Sequence, residues 1–281
     1  MKTAVITTVH GRAGHLRRQL EGLQHSVRRP DLHVIVALGD PGVADAVSGA
    51  GAAVVDCPAQ HPLPIARGRN LGADTAIREN AELLVFLDVD CIPAAALIDR
   101  YHAVASGPDH ADALLCGPVT YLPPTGPGGY SLSEIRAHPE PHPARPSPAD
   151  DEVFDTTDYA LFWSLSFAVR TSTWQRIGGF CELYCGYGGE DTDFAQCAAA
   201  RGVPMRWVGG AHAFHQHHRV TNPPVDHLDD IVRNAAVFHR RWGWWPMEGW
   251  LSSFESDGLI RRRADGRPVS AVTAERSPPL E

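Results

Sequence analysis

The sequence predicts an α/β fold in which sheet strands alternate with helices through at least the first half of the chain. Three observations carry this expectation. Apolar, β-branched runs recur at Ala4–Val9, His33–Leu38, Ala52–Val55 and Leu83–Leu87, the pattern of buried strands. Between them lie segments with helical spacing, such as Leu16, Leu20, Leu23 and Val27; strands separated in this way imply parallel βαβ units. With 281 residues, 43% of them hydrophobic, the chain is long enough for one large domain or two small ones.

The first strand runs into Gly11 and Arg12, and Pro30 ends the helix after it. His33–Leu38 leads into the turn Gly39-Asp40-Pro41-Gly42. After Ala52–Val55 a helix is expected from Ile65 to about Asn80, despite Gly68 and Gly72 near its start. Leu83–Leu87 passes directly into Asp88-Val89-Asp90. Ligands of parallel sheets lie beyond the C-terminal strand ends, so a site is expected there. Ala111–Val119 is expected as a strand. Leu122 to about Ala149, rich in Pro, Gly and His, is expected as a long lid or binding loop. Regular structure resumes at Tyr159–Arg170. A short helix comes next at Ser172–Ile177, ended by Gly178-Gly179, then a helix at Glu190–Arg201 with acidic residues in its first turn. Met205–Val208 is expected as a strand and Asp226 to about Trp242 as a helix. From Arg261 there is no apolar periodicity, so 261–281 is expected to be a loose tail.

Charge and composition exclude several classes. Against 25 Lys and Arg stand 33 Asp and Glu, a net charge of −8. Such a chain lacks the positive field that general nucleic-acid binding needs. No apolar run reaches the roughly 18 residues of a membrane span, and the N-terminus lacks the features of a signal peptide. The six cysteines form no CxxC pair, which fits reduced, buried thiols in a cytoplasmic protein. Cys181 and Cys185, with no second close pair, are a weak metal signal.

Four constellations carry chemistry. Asp88 and Asp90, two carboxylates at a strand exit, suit Mg²⁺ or Mn²⁺ carrying a diphosphate. A solvated acidic turn is the plainer alternative, and the position after the fourth strand favours the ligand reading. In Gly186-Tyr187-Gly188-Gly189-Glu190-Asp191-Thr192-Asp193, a flexible turn precedes acids at a helix start. Helix capping accounts for one acid but not for three behind that turn; a carboxylate there serves as general base towards a hydroxyl, and Asp191 is expected to be ionised near neutral pH. His212, His215, His217 and His218 cluster near a strand end, where imidazoles suit Mn²⁺ or Zn²⁺. Strand alternation would place His215 and His217 on one face. A His-rich surface loop is the alternative. Arg67, Arg69 and Asn70 at a helix start suit a diphosphate, although a solvated helix start reads the same. Trp242, Trp244, Trp245 and Trp250 either pack down the last helix, the favoured reading, or stack on sugar rings.

These pieces resemble an inverting glycosyltransferase of the GT-A fold with a C-terminal region like that of the β-1,4-galactosyltransferases. The matching segments are Thr7–Arg12, including Thr8 and Val9, then Asp88-Val89-Asp90, Phe167-Ala168-Val169-Arg170, Ile177-Gly178-Gly179-Phe180, the GYGGED run at 186–191, His215, and Asn222-Pro223. The resemblance implies a Rossmann-like nucleotide-diphospho-sugar transferase with a mixed sheet flanked by helices. It implies a donor-binding half at 1–110 and an acceptor and catalytic half at 111–260 of the same domain. By position it places Asp88 near the donor ribose and the metal. Asp90 and His215 become Mn²⁺ ligands (Mg²⁺ the alternative) and Asp191 the catalytic base, while Tyr187, Gly189 and Glu190 shape the substrate pocket. His212, three residues before the metal histidine, occupies the place of a further ligand. Tyr187 stands where the family often has Trp, and Thr192 where it often has Asp, so the family's GlcNAc acceptor is not assumed. The mammalian members' membrane anchor has no counterpart here, which fits a soluble bacterial-type enzyme.

The expected function is transfer of a sugar from a UDP-sugar to the hydroxyl of a small-molecule, glycan or natural-product acceptor. Thr8, Val9, Gly11, Arg12, Asp40, Arg67 and Asn70 are the expected substrate contacts on the donor side. A nucleotidyltransferase is the first alternative, although Val9–Gly14 is a poor phosphate loop. A non-catalytic sugar- or metal-binding protein is the second, and it would leave Asp191 without a role.

Overall fold

The computed structural model describes residues 1–59, 61–126, 129–137 and 139–271. Its first half is built as the strand and helix pattern requires: β1 (Thr3–Val9), α1 (Ala13–Gln24), β2 (Leu32–Leu38), α2 (Gly42–Ala46), β3 (Ala53–Cys57), α3 (Ile65–Arg78) and β4 (Leu83–Leu87). Next come β5 (Cys91–Pro93), α4 (Leu97–Ser106), β6 (Leu114–Cys116), β7 (Val119–Tyr121), α5 (Leu132–Ala137), β8 (Val153–Thr156) and β9 (Ser166–Arg170). The remainder is α6 (Thr171–Ile177), α7 (Glu190–Ala200), β10 (Met205–Val208), β11 (Ala213–His215), α8 (Leu228–Trp242), α9 (Glu248–Ser256), β12 (Ile260–Arg262) and β13 (Pro268–Ser270).

The main sheet has the order β3-β2-β1-β4-β9-β6-β10-β8. β3, β2, β1 and β4 run parallel, β9 runs antiparallel between β4 and β6, and β8 is antiparallel to β10. The sheet is therefore mixed and helix-flanked, as expected. α3 lies close on β1 and β2 because of its two glycines. A Cβ at Gly68 would meet Leu38 at 2.6 Å, and one at Gly72 would meet Ile6 at 2.5 Å. The glycines that weaken the helix signal in the sequence are what let this helix pack. One face of the sheet buries Ile6, Val36, Phe86, Phe167, Trp174 and Phe194, the other Val5, Val85, Leu97 and Tyr101.

Four expectations are corrected. Ala111–Val119 is two short strands in different sheets: Gly117-Pro118 turns the chain out of β6 into β7, which joins a second sheet of order β5-β11-β7. The 122–149 excursion contains the helix α5. α1 stops at Gln24, so Val27 lies off its stripe and is 75% exposed. Where the tail was expected to be loose, β12 and β13 pair antiparallel and Ile260 packs with Ile231, Leu251 and Phe254; residues 272–281 of that tail lie outside the described residues. Among the described residues no helix is long and apolar enough to cross a membrane.

Candidate active site

The second sheet builds the first part of the site. β11 pairs with β5 so that His215 lies opposite Cys91, one residue past Asp90, and the Gln216 amide donates to the Asp90 carbonyl at 2.7 Å. His215 Nε2 thereby comes to 3.6 Å from Asp90 Oδ1, and His218 Nε2 to 3.5 Å from Asp90 Oδ2. The ligand atoms of Asp90, His215 and His218 all lie within 4.8 Å of one another. Asp90 Oδ1 is buried and has no hydrogen-bond partner. An orphaned carboxylate oxygen beside His215, with the imidazole of His218 at the other oxygen, is a group that suits a divalent transition metal. Burial holds both histidines below their ordinary pKa, in the neutral form that ligates. Arg12, in a left-handed conformation at the start of α1, pairs its guanidinium with Asp90 Oδ2.

The histidine run does not behave as a continued strand. The ladder ends at His215, so alternation does not govern the residues beyond it, and His217 is exposed. His212 Nε2 bonds Thr120 Oγ1 at 2.8 Å instead of joining the cluster.

Arg69 builds the second part. It is only 5% exposed, and its guanidinium spans Asp88 Oδ1 and Glu190 Oε1, each at 3.0 Å, while lying 5.1 Å over the Phe180 ring. Asp88, expected as a metal ligand, is thus engaged by Arg69. Burial raises its pKa, Arg69 opposes that, and Asp90 adds to it. Glu190 Oε2 is buried without a partner.

The glycine-rich turn before α7 is held from α8. Asn234 Nδ2 donates to the carbonyls of Cys185, Tyr187 and Gly188 at 3.0, 3.2 and 2.8 Å. Asp230 Oδ2 accepts from the Tyr187 amide at 3.1 Å, and a Cβ at Gly186 would meet that same oxygen at 1.9 Å. Gly189, at φ 92°, forms the N-cap of α7. Tyr187, 39% exposed, stacks on His227 at 4.5 Å with Trp250 at 5.8 Å. Half-buried Asp191 has its pKa pushed up to about 7, first by burial and then by Glu190, against the Thr192 amide that donates to it at 2.7 Å. The sequence predicts an Asp191 ionised near neutral pH, and burial shifts its titration into that range.

The third acid of the turn is structural. Asp193, fully buried, accepts from Arg241 Nε at 2.6 Å, Trp242 Nε1 at 2.7 Å and Tyr184 Oη at 3.2 Å. Asp193→Ala should cost about 2–3 kcal/mol in a denaturant titration, less than a fully buried pair because Arg241 is partly exposed. Trp242 is thus a packing residue. Trp244 meets Phe238 edge-on at 4.5 Å and Trp245 stacks on His239 at 3.9 Å; only Trp250 of the four approaches Tyr187.

Among the residues expected to contact the donor, Asp40 accepts from the Gly11 amide at 2.7 Å and the Gly42 amide at 3.0 Å, which locks the loop after β1 to that after β2. Thr8 is half-buried at the strand end, Val9 is buried, and Arg67 is exposed. Asn70 exchanges two bonds with the Phe180 backbone, both 2.9 Å, and donates to Glu182; it fastens α3 to the segment after α6. Sequence reasoning names His218 only as one of four clustered histidines and Arg69 only as a diphosphate-suited residue, not as the partner of Asp88 and Glu190, and it passes over Asn234. The burial of Arg69 has a further signal, since it lies on the same face of α3 as Gly72, Ala73 and Ala76.

The family described as the N-terminal domain of galactosyltransferase matches residues 151–219. Validoxylamine A glucosyltransferase of Streptomyces hygroscopicus subsp. jinggangensis (strain 5008) is 28% identical over 196 residues, 63% of this chain and 44% of that protein. The protein of the same description from subsp. limoneus is also 28% identical, with 41% of its length covered. The chain therefore spans less than half the length of these relatives. Among solved structures, S. aureus TarS 1-349 in complex with UDP-GlcNAc is similar at a TM-score of 0.60 and 13% identity, covering 90% of this chain and 76% of that one. GalNAc-T7 with UDP, GalNAc and Mn²⁺ is similar at a TM-score of 0.58 and 14% identity, covering 78% and 43%. The likeness shows the fold: a mixed α/β sheet flanked by helices, of GT-A type.

Proposed function

We propose that the chain is a metal-dependent inverting glycosyltransferase. It moves a sugar from a UDP-sugar to an acceptor hydroxyl, and Asp191 takes the hydroxyl proton. One observation carries the reading: a buried, unpartnered Asp90 oxygen lies in a cluster of Asp90, His215 and His218, and Arg69 bridges Asp88, two residues before Asp90, to Glu190, the residue before Asp191. The named relatives and the UDP-sugar complexes of the structural neighbours support it.

In this reading Asp90, His215 and His218 hold Mn²⁺, which when bound offsets the charge developing on the leaving diphosphate. Arg12 and Arg67 add positive charge towards the phosphates, and Asp40 contacts the base. Asp88, engaged by Arg69, contacts the donor ribose rather than completing the ligand set. The acceptor oxygen attacks the anomeric carbon, the bond from that carbon to the diphosphate oxygen breaks, and the proton passes to Asp191. A single displacement inverts the anomeric centre. Tyr187, backed by His227 and Trp250, presents an aromatic face to the acceptor ring. The relatives' description makes UDP-glucose the first donor to test, with a natural-product acceptor.

Two imidazoles in the ligand set favour Mn²⁺ over Mg²⁺. Release of UDP from a panel of UDP-sugars should be supported by Mn²⁺, less by Mg²⁺, and abolished by EDTA. Calorimetry should show UDP binding that weakens without the metal. Full turnover in excess EDTA overturns the metal reading, and equal or tighter binding of GDP or dTDP overturns the uridine assignment.

A further inference from the structure

Beneath the Asp88–Asp90 turn lies a row of buried polar groups that the mechanism above does not use. Gln19, two turns into α1, is fully buried. Its Nε2 donates to the Asp88 carbonyl at 2.7 Å and to the Cys91 carbonyl at 3.1 Å. Its Oε1 accepts from Thr7 Oγ1 at 2.9 Å, and Thr7 Oγ1 lies 3.2 Å from His33 Nε2. The proton count runs one way. An amide oxygen only accepts, so the Thr7 hydroxyl proton goes to Gln19, and His33 Nε2–H must donate to Thr7. Both Gln19 amide protons are then spent on the two carbonyls that bracket the turn.

We infer that Gln19 is a positioning residue that sets the aim of the Asp90 carboxylate by clamping the turn carrying it, with Thr7 and His33 fixing the orientation of its amide. The inference rests on the proposed metal reading of Asp90. A buried amide is costly unless fully bonded, and an apolar side chain would fill this place without Thr7 or His33. Here every donor is directed at the turn. The grip is also two-sided, because α1 brings Arg12 to the Asp90 carboxylate at its start and Gln19 to the turn's backbone further along. Cys91 N donates to Asp88 O at 2.8 Å, so the clamped carbonyl is the one that closes the turn. A ligand that slips by a fraction of an ångström loses the geometry that the ion requires, and partners that orient a ligand typically affect metal affinity by about 10–100-fold.

The test is calorimetric titration of UDP into wild type, Gln19→Met, Thr7→Val and Thr7→Ser, each with Mn²⁺ and with EDTA. Gln19→Met keeps the length and removes both donors. It should weaken UDP binding about 10-fold or more in Mn²⁺ and leave binding in EDTA unchanged, a split that general destabilisation does not produce. Thr7→Val should lose a smaller share of the Mn²⁺-dependent affinity, about 3-fold or more, and Thr7→Ser, which keeps the hydroxyl, should match wild type. If Gln19→Met does not fold, the Thr7→Val and Thr7→Ser pair decides. Wild-type affinity in Mn²⁺ for Gln19→Met, or for Thr7→Val where that pair decides, overturns the inference, as does equal loss with and without metal. A wild-type protein whose UDP affinity is indifferent to Mn²⁺ overturns the metal reading itself, and this inference with it.

Discussion

Asp191→Asn is expected to lower turnover about 10²-fold or more while UDP and metal binding stay nearly intact, because the change keeps the shape and removes the proton acceptor. The pH dependence identifies the same group. With its pKa near 7, Asp191 loses its basic form as pH falls, so kcat should drop about tenfold per unit below that value and level off above it. Stability moves the other way. A carboxyl raised from 3.8 to about 7 holds its proton in the folded chain where the unfolded chain has released it, so stability falls as pH rises through that window. Asp191→Asn escapes this, and its Tm should exceed wild type at pH 8 while the two converge near pH 4. Glu190→Gln loses half of the Arg69 bridge and should disturb binding as well as rate. Near-normal turnover in Asp191→Asn, with turnover abolished but binding kept in Glu190→Gln, means the two acids have exchanged roles.

Burial decides which elements are legible in the sequence. Leu83–Leu87 and Met205–Val208 are found residue for residue, the first wholly apolar and the second apolar but for half-buried Arg206, both inside the sheet. Val153–Thr156 is invisible because it forms the sheet edge, where half-exposed and exposed residues leave no apolar run. The split of Ala111–Val119 is a tertiary event, set by which sheet each half joins. In the site, Asp88, Asp90, Glu190, Asp191 and His215 are all drawn to one region, since strand exits and a helix start locate them. The partners are harder. Arg67 and Arg69 are alike in sequence, yet α3 turns one outward and buries the other between two acids. Nor does any periodicity show that Asn234, far along α8, ties down the turn before α7.

His218→Ala is expected to weaken Mn²⁺-dependent UDP binding about 100-fold or more, and His212→Ala to leave it within about 3-fold. Sequence resemblance points to the opposite histidine, because His212 occupies the ligand position three residues before His215. The fold decides otherwise. β11 sits between β5 and β7, and its pairing with β7 delivers His212 to Thr120 at 2.8 Å, where burial lowers the ring's pKa to about 4 and so keeps it neutral. The chain leaves the strand at Gln216, whose amide is fixed to the Asp90 carbonyl, and the next turn brings His218 back over the same carboxylate. His218 therefore reaches Asp90 because the ladder stops, a consequence of loop geometry that strand alternation could not anticipate. Titrating Mn²⁺ into each variant in the presence of UDP separates the two. Loss in His212→Ala with retention in His218→Ala means that the resemblance, and not the geometry, names the third ligand. Loss in both means that the Thr120 bond is needed to keep β11 and His215 in place.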